Sequence, residues 1–300
     1  MRVHLIAYRL KRCKGLTLIE LLVAMAISAV LIAAIYRTFI GQHRTYTAQE
    51  QVVDMQQNAR VAINRMMREI RMAGFGNVSS VLPVTAKNGP FNNIIIPING
   101  KDNIKGQYDD QITIIGAFEK VSVLATDHVG GGNVLQLSNL SKYDFDPDTN
   151  MKYICIGGLE SYVVTNIDES RREVTLNGNL INSHKSGTPV FKIKAITYKL
   201  NLQNGVPVLE REDNTDGGGG QDIAENIENL QFRYILDDGS ESDSPTDPLK
   251  IRMVNVTVHA RTSFPDLEFK SDPEFKAGLG GFRRRTIASN ILVRNMGVNP

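Results

Sequence analysis

Cysteine is scarce: the 300 residues contain only Cys13 and Cys155. Cys13 lies in a basic N-terminal segment, and removal of that segment would leave one thiol and no internal disulfide. Cys155 sits in the strand-like run from Lys152 to Ile156, where it reads as a small buried hydrophobe rather than a reactive thiol. Histidine is sparse as well. His4, His43, His128, His184 and His259 are scattered with no pair at helical spacing, so a metal or catalytic cluster is not expected. No convergent His/Ser/Cys/Asp constellation is visible, and an enzyme is not the expected class. Gly130–Gly132 and Gly217–Gly220 lack a following Lys-Ser/Thr and a strand–helix frame, so they read as flexible loops rather than phosphate cradles.

Acidic residues are missing from positions 1–15, which hold Arg2, Arg9, Lys11, Arg12 and Lys14. Removing those five charges from the formal net +2 leaves −3 for the rest of the chain. The basic excess belongs to the N-terminus, and nothing in the bulk composition asks for a nucleic-acid partner. Arg283–Arg285 could touch DNA, but no aromatics interleave them, and they read as the cap of a last strand.

What is present is enough apolar residue, 42% against 22% charged, to build a sizeable core in one large or two small domains. The most apolar stretch is Leu16–Ile35, interrupted only by Thr17, Glu20 and Ser28. As a helix, its 20 residues span about 30 Å, the thickness of a bilayer core. The basic residues before it place its start on the cytoplasmic side. It is longer than the apolar region of an ordinary secretory signal, and no turn cluster follows it. Cys13 precedes the run, which argues against a lipoprotein anchor. Glu20 is out of place in a plain anchor: a charge within hydrocarbon is costly, marks function and requires a partner.

The string Lys14-Gly15-Leu16-Thr17-Leu18-Ile19-Glu20-Leu21-Leu22-Val23-Ala24 resembles the prepilin signature of type IV pilin-like proteins. The resemblance implies that a membrane-embedded aspartyl prepilin peptidase cuts between Gly15 and Leu16 and that Leu16 is N-methylated. It also places Glu20 at the fifth mature position. Pairing Glu20 with the terminal amine of a neighbouring subunit would compensate both buried charges and set axial register. Leu16 stands where the family usually has Phe. The helix-bending Pro common in major pilins is absent, with Arg37 near its place, which favours a minor pilin or pseudopilin.

Helical character continues past the apolar run. Val52, Met55, Ala59, Ile63, Met66, Ile70 and Ala73 recur at steps of three and four. Arg65, Arg68 and Arg71 suit a helix C-terminus, and Gly74 is a natural stop. One helix is expected over roughly 16–73, with its striped half buried against a globular domain. Beyond it lie short β-like runs, among them Gln111–Ala117, Val121–Ala125, Val190–Ala195 and Ile196–Leu202. Asn204-Gly205 is a strong hairpin signal. Val254, Val256 and Val258 alternate with polar residues as in a strand with one buried face, and Asp222–Leu230 reads as a short helix.

The C-terminal third, from Ala224 to Tyr234, through the Ile251 strand, to Arg284–Asn295, is similar to PilW-type minor pilins. The secretion pseudopilin J has a comparable layout. The expected fold is therefore the α+β type IV pilin fold, a long N-terminal helix packed on an antiparallel β-rich domain. Expected boundaries are a leader over 1–15, a transmembrane or filament-core half over 16–40, an amphipathic half over 41–73 and a globular domain over 74–300. The resemblance implies no cofactor. Its implied partners are prepilin peptidase, other minor and major pilins, the inner-membrane assembly platform and membrane lipid, before the subunit joins a pilus or pseudopilus. Asp144, Asp146 and Asp148 are spaced like the start of a calcium loop. Thr149 replaces the Gly such a loop needs and Cys155 its bidentate Glu, so a solvated turn is the simpler expectation. Asp237, Asp238, Glu241, Asp243 and Asp247 form a second acidic loop with the same default.

Overall fold

No proline and only one early glycine, Gly41, interrupt the chain between Thr17 and Ala73, and a single helix, α1, runs unbroken over Leu18–Met72. Its 55 residues span about 82 Å. Gly74, in the left-handed region at φ 79°, ends it, and the Gly74 N–H is taken by the Ile115 carbonyl at 2.9 Å. The computed structural model describes residues 17–87, 89–98, 110–217, 219–266, 269 and 281–296, and the backbone of 102–104 and 107–108. Contacts divide the chain into two units, the first ending at Glu50 and the second spanning Gln51–Pro300.

Within the second unit, Met55, Ala59, Ala62, Ile63, Met66 and Ile70 form the buried face of α1, at the expected steps of three and four. Arg60, Asn64, Arg68 and Arg71 stay exposed. Among the described residues the helix is followed by β1 (Val84–Ala86), β2 (Gly89–Phe91), β3 (Ile95–Ile98), β4 (Asp102–Ile104), β5 (Gln107–Tyr108), β6 (Gln111–Val123), β7 (Val134–Gln136), β8 (Tyr153–Ile156), β9 (Glu160–Asp168), β10 (Glu173–Leu176), β11 (Pro189–Gln203), β12 (Val206–Asp213), β13 (Gln221–Glu225), β14 (Ile227–Leu236), β15 (Glu241–Ser242), β16 (Ile251–Arg261) and β17 (Arg284–Leu292). All pairings are antiparallel. This is the type IV pilin α+β arrangement, a long N-terminal helix packed on an antiparallel sheet domain.

The larger sheet has nine strands and is organised around β11. One side of β11 pairs with β6, and the other pairs with β8 at its start and β12 further along. The β11–β12 turn is Asn204-Gly205, both at positive φ, with Gln203 facing Val206, as a tight hairpin of this sequence requires. The smaller sheet has the order β15-β14-β16-β17. Along β16, Val254, Val256, Val258 and Ala260 are buried and their neighbours are half-exposed. The helix face and these two sheets share one core, in which Tyr153, Tyr198, Phe232 and Tyr234 are the largest buried strand side chains. A second core lies under β7–β10, formed by Leu124, Leu135, Phe145, Ile154, Val174 and Leu176 among others.

Three expectations need correction. Asp222–Leu230 is not a helix but β13 and the start of β14. Ile223, Ile227 and Leu230 have helical spacing, yet Asn226 stands at φ 60° and breaks the chain between two strands in different sheets. Cross-strand pairing with β12 and β16 outweighs the local pattern. The two runs at 111–117 and 121–125 are one strand, β6, whose irregular register against β11 carries the chain past Glu119 and Lys120. The runs at 190–195 and 196–202 are likewise one strand, β11.

Candidate functional site

The N-terminal end of α1 is built by Thr17 and Glu20. The Glu20 carboxylate accepts the Thr17 N–H at 2.9 Å and the Thr17 hydroxyl at 2.8 Å, both on Oε2. Thr17 Oγ1 accepts the Glu20 N–H at 3.3 Å. This reciprocal pair is a capping box, and it satisfies helix-terminal donors that would otherwise be open. Glu20 thus has an uncharged partner three residues away, placed by the Thr-x-x-Glu spacing itself. Both contacts from Thr17 fall on a single carboxylate oxygen.

From Leu21 to Ile35, with Ser28 the one hydroxyl, the first unit has apolar side chains on every face. Leu18 is 79% exposed, and Ile19, Met25, Val30, Ile32 and Ile35 are similarly open. Among the described residues nothing buries the most apolar window of α1, although the helix is long and apolar enough to cross a membrane. An apolar surface this continuous needs lipid or protein over it.

Residues 10–36 match the family model of the prokaryotic N-terminal methylation motif. The match supports a type IV pilin-like prepilin, processed by prepilin peptidase and assembled with other pilins. No curated protein and no solved structure matches the chain. Gly15 and Leu16, the expected processing positions, lie within the matched segment but outside the described residues.

Other sequence-derived candidates take structural roles. Asp144 caps its own turn by accepting the Ser141 N–H at 2.7 Å, and Asp146 accepts the Asp148 N–H at 3.0 Å. Among the described residues no group of three or more His, Cys, Asp or Glu side chains is placed to hold a metal ion. In the second acidic loop, Glu241 and Asp243 bind Arg233, Asp238 caps Ser240, and Asp247 caps a short 3-10 turn. Arg284 is buried in an ion pair with Glu228 on β14, and Arg283 pairs with Asp266. The Cys155 thiol is buried, and burial pushes its pKa up to about 11.

The fold also assembles groups that their sequence spacing did not reveal. His128 and His184 face each other across a two-residue bridge, exchanging backbone hydrogen bonds of 2.8 Å. His184 Nε2 lies 2.5 Å from Glu160 Oε1, with both side chains buried. Glu160 also accepts from the Tyr162 hydroxyl and the N–H groups of Ile181 and Asn182. Burial alone would raise the Glu160 pKa, but these hydrogen bonds outweigh it and hold the carboxyl below its ordinary value. On α1, Glu69 accepts the Tyr198 hydroxyl at 2.7 Å and Arg211 Nε at 3.0 Å, tying the helix to β11 and β12. A depression of about 650 Å³ opens on the four-stranded sheet between Gln231, Arg233, Asn255, Thr257 and Asn290.

Proposed function

We propose that this chain is a minor pilin of the PilW type, a structural subunit that helps to initiate or cap a type IV pilus rather than an enzyme. The carrying observation is the methylation motif on an apolar helix that no other described residue covers, continuous with a helix face buried on a β-rich domain. In this reading, prepilin peptidase cleaves between Gly15 and Leu16, Leu16 is methylated, and residues 1–15 are the leader. Residues 16–40 then span the inner membrane and later enter the filament core. The globular domain faces the periplasm and binds other minor and major pilins at the assembly platform. Glu20 meets the terminal amine of a neighbouring subunit through the carboxylate oxygen that Thr17 does not use. A pseudopilin J-like role in type II secretion uses the same parts.

A second reading is a tip subunit that binds a surface ligand or DNA on the same scaffold; the polar depression lined by Arg233, Asp110, Glu241 and Asp243 favours the surface ligand, since its carboxylates outnumber its cation. Deleting the gene separates the two. Loss of all pili supports assembly, and normal pili with lost attachment supports the tip binder.

A further inference from the structure

The end of the apolar run is marked by a change in side-chain type on every flank of α1. Tyr36, Phe39, His43 and Tyr46 follow one another at steps of three and four, so they form one stripe. The three large rings are exposed, Tyr46 by 67%. Phe39 and His43 are in tilted contact with centroids 6.3 Å apart. Arg37 and Arg44, seven residues apart, share a different flank within the same three turns. No Asp or Glu occurs from Leu21 to Gln49, so the segment is net positive. Thr38, Thr45 and Thr47 turn their hydroxyls back onto the carbonyls of Ala34, Gly41 and His43, at 3.0–3.1 Å. That internal bonding lets a helix present threonines to a poorly hydrated surrounding.

We propose that Tyr36–Tyr46 is an interfacial belt that binds the phospholipid surface at the C-terminal end of the apolar run, its rings at the headgroup boundary and Arg37 and Arg44 on lipid phosphate. The inference rests on the membrane-spanning reading of that run. Leu18–Ile35 covers about 26 Å, which brings Tyr36 to the far edge of a ~30 Å hydrocarbon core. Helical side chains lean toward the N-terminus, so Arg44, about 12 Å beyond Tyr36, reaches back into the headgroup layer, while Tyr46, about 15 Å beyond it, stands at the outer edge of that layer. Amphipathic rings and long cations are the side chains that settle there. A docked helix would cover one flank, whereas here aromatic and cationic groups occupy separate flanks within the same three turns. The belt sets depth: with Tyr36 at the boundary, Glu20 lies about 24 Å below it, still inside the core.

The chain contains no Trp, so single substitutions give clean fluorescent depth probes. The full-length protein would be placed in phosphatidylethanolamine–phosphatidylglycerol vesicles carrying bromine either near the headgroup end or near the methyl end of the acyl chains. Tyr36→Trp and Phe39→Trp should be quenched about twofold more by shallow than by deep bromine, and Ile27→Trp the reverse. Leu202→Trp, in the globular unit, should be quenched by neither. Absence of quenching for Ile27→Trp would refute the membrane-spanning reading itself. Deep quenching of Ile27→Trp without any quenching of Tyr36→Trp and Phe39→Trp would refute the belt alone, and a blue-shifted emission in that case would assign the stripe to a protein partner. In the Phe39→Trp background, Arg37→Gln with Arg44→Gln should lower the shallow-to-deep ratio by about half as the helix sinks. An unchanged ratio would overturn the phosphate contacts.

Discussion

Replacing Glu69 with alanine removes the one carboxylate on α1 that is buried against the sheet domain. It strands the Arg211 guanidinium, whose side chain is only 12% exposed, and leaves the buried Tyr198 hydroxyl without its acceptor. Breaking one partner of such a pair costs about 3–5 kcal/mol, because the remaining charge is uncompensated. That is a large part of the ~5–15 kcal/mol that holds a typical domain together. Tyr198→Phe removes one hydrogen bond to a charged group and should cost about 1.5–3 kcal/mol. Arg65, half in solvent beside Glu69, should matter by less than about 1 kcal/mol when truncated. Glu69→Leu combined with Arg211→Met and Tyr198→Phe should recover most of the loss, since neither an unpaired charge nor an unpaired buried hydroxyl then remains. Urea unfolding of the detergent-solubilised chain, followed by circular dichroism, would rank the variants. An alanine at position 69 that costs less than the one at position 65, or a triple replacement no better than Glu69→Ala, would refute the assignment of this cluster as the polar anchor of the helix.

Glu20→Gln keeps the side-chain size and removes the charge, so the protein should insert and be cleaved while losing assembly, as scored by pilus counts beside a cleavage blot. The Cys155 thiol, pushed up to about 11 by burial, should resist maleimide near neutral pH in the native protein and react once urea unfolds it. Glu160, held below its ordinary carboxyl value in the fold, contributes stability that is present above about pH 4.5 and lost as pH falls through its folded pKa. Glu160→Gln should therefore lower the urea midpoint at neutral pH and flatten its fall toward acid, and an unchanged acid slope would count against the Glu160 hydrogen-bond set.

The features legible in the sequence were those whose cause is local. The span of α1 followed from unbroken periodicity and a glycine stop, the β11–β12 turn from Asn204-Gly205, and β16 from strict alternation of buried and half-exposed residues. Asp222–Leu230 misled because its apolar spacing suits a helix, while the deciding forces, a left-handed Asn226 and pairing to β12 and β16, lie outside the window. The Glu160–His184 contact joins residues 24 apart and Glu69–Arg211 residues 142 apart, so no spacing rule could reveal either. Thr17 is a different case. Its capping-box spacing is a local signal, and it gives Glu20 a hydroxyl and an N–H three residues away that satisfy the carboxylate without a counter-charge.

Under the proposed function the chain is processed at the Gly15–Leu16 junction. Peptide mass spectrometry of the N-terminus of the protein purified from the membrane or from sheared filaments tests it most directly. The prediction is a mature chain that begins at Leu16 and carries one methyl group on its amine. A mature start near residues 35–40 would show a conventional signal peptide and contradict the pilin reading.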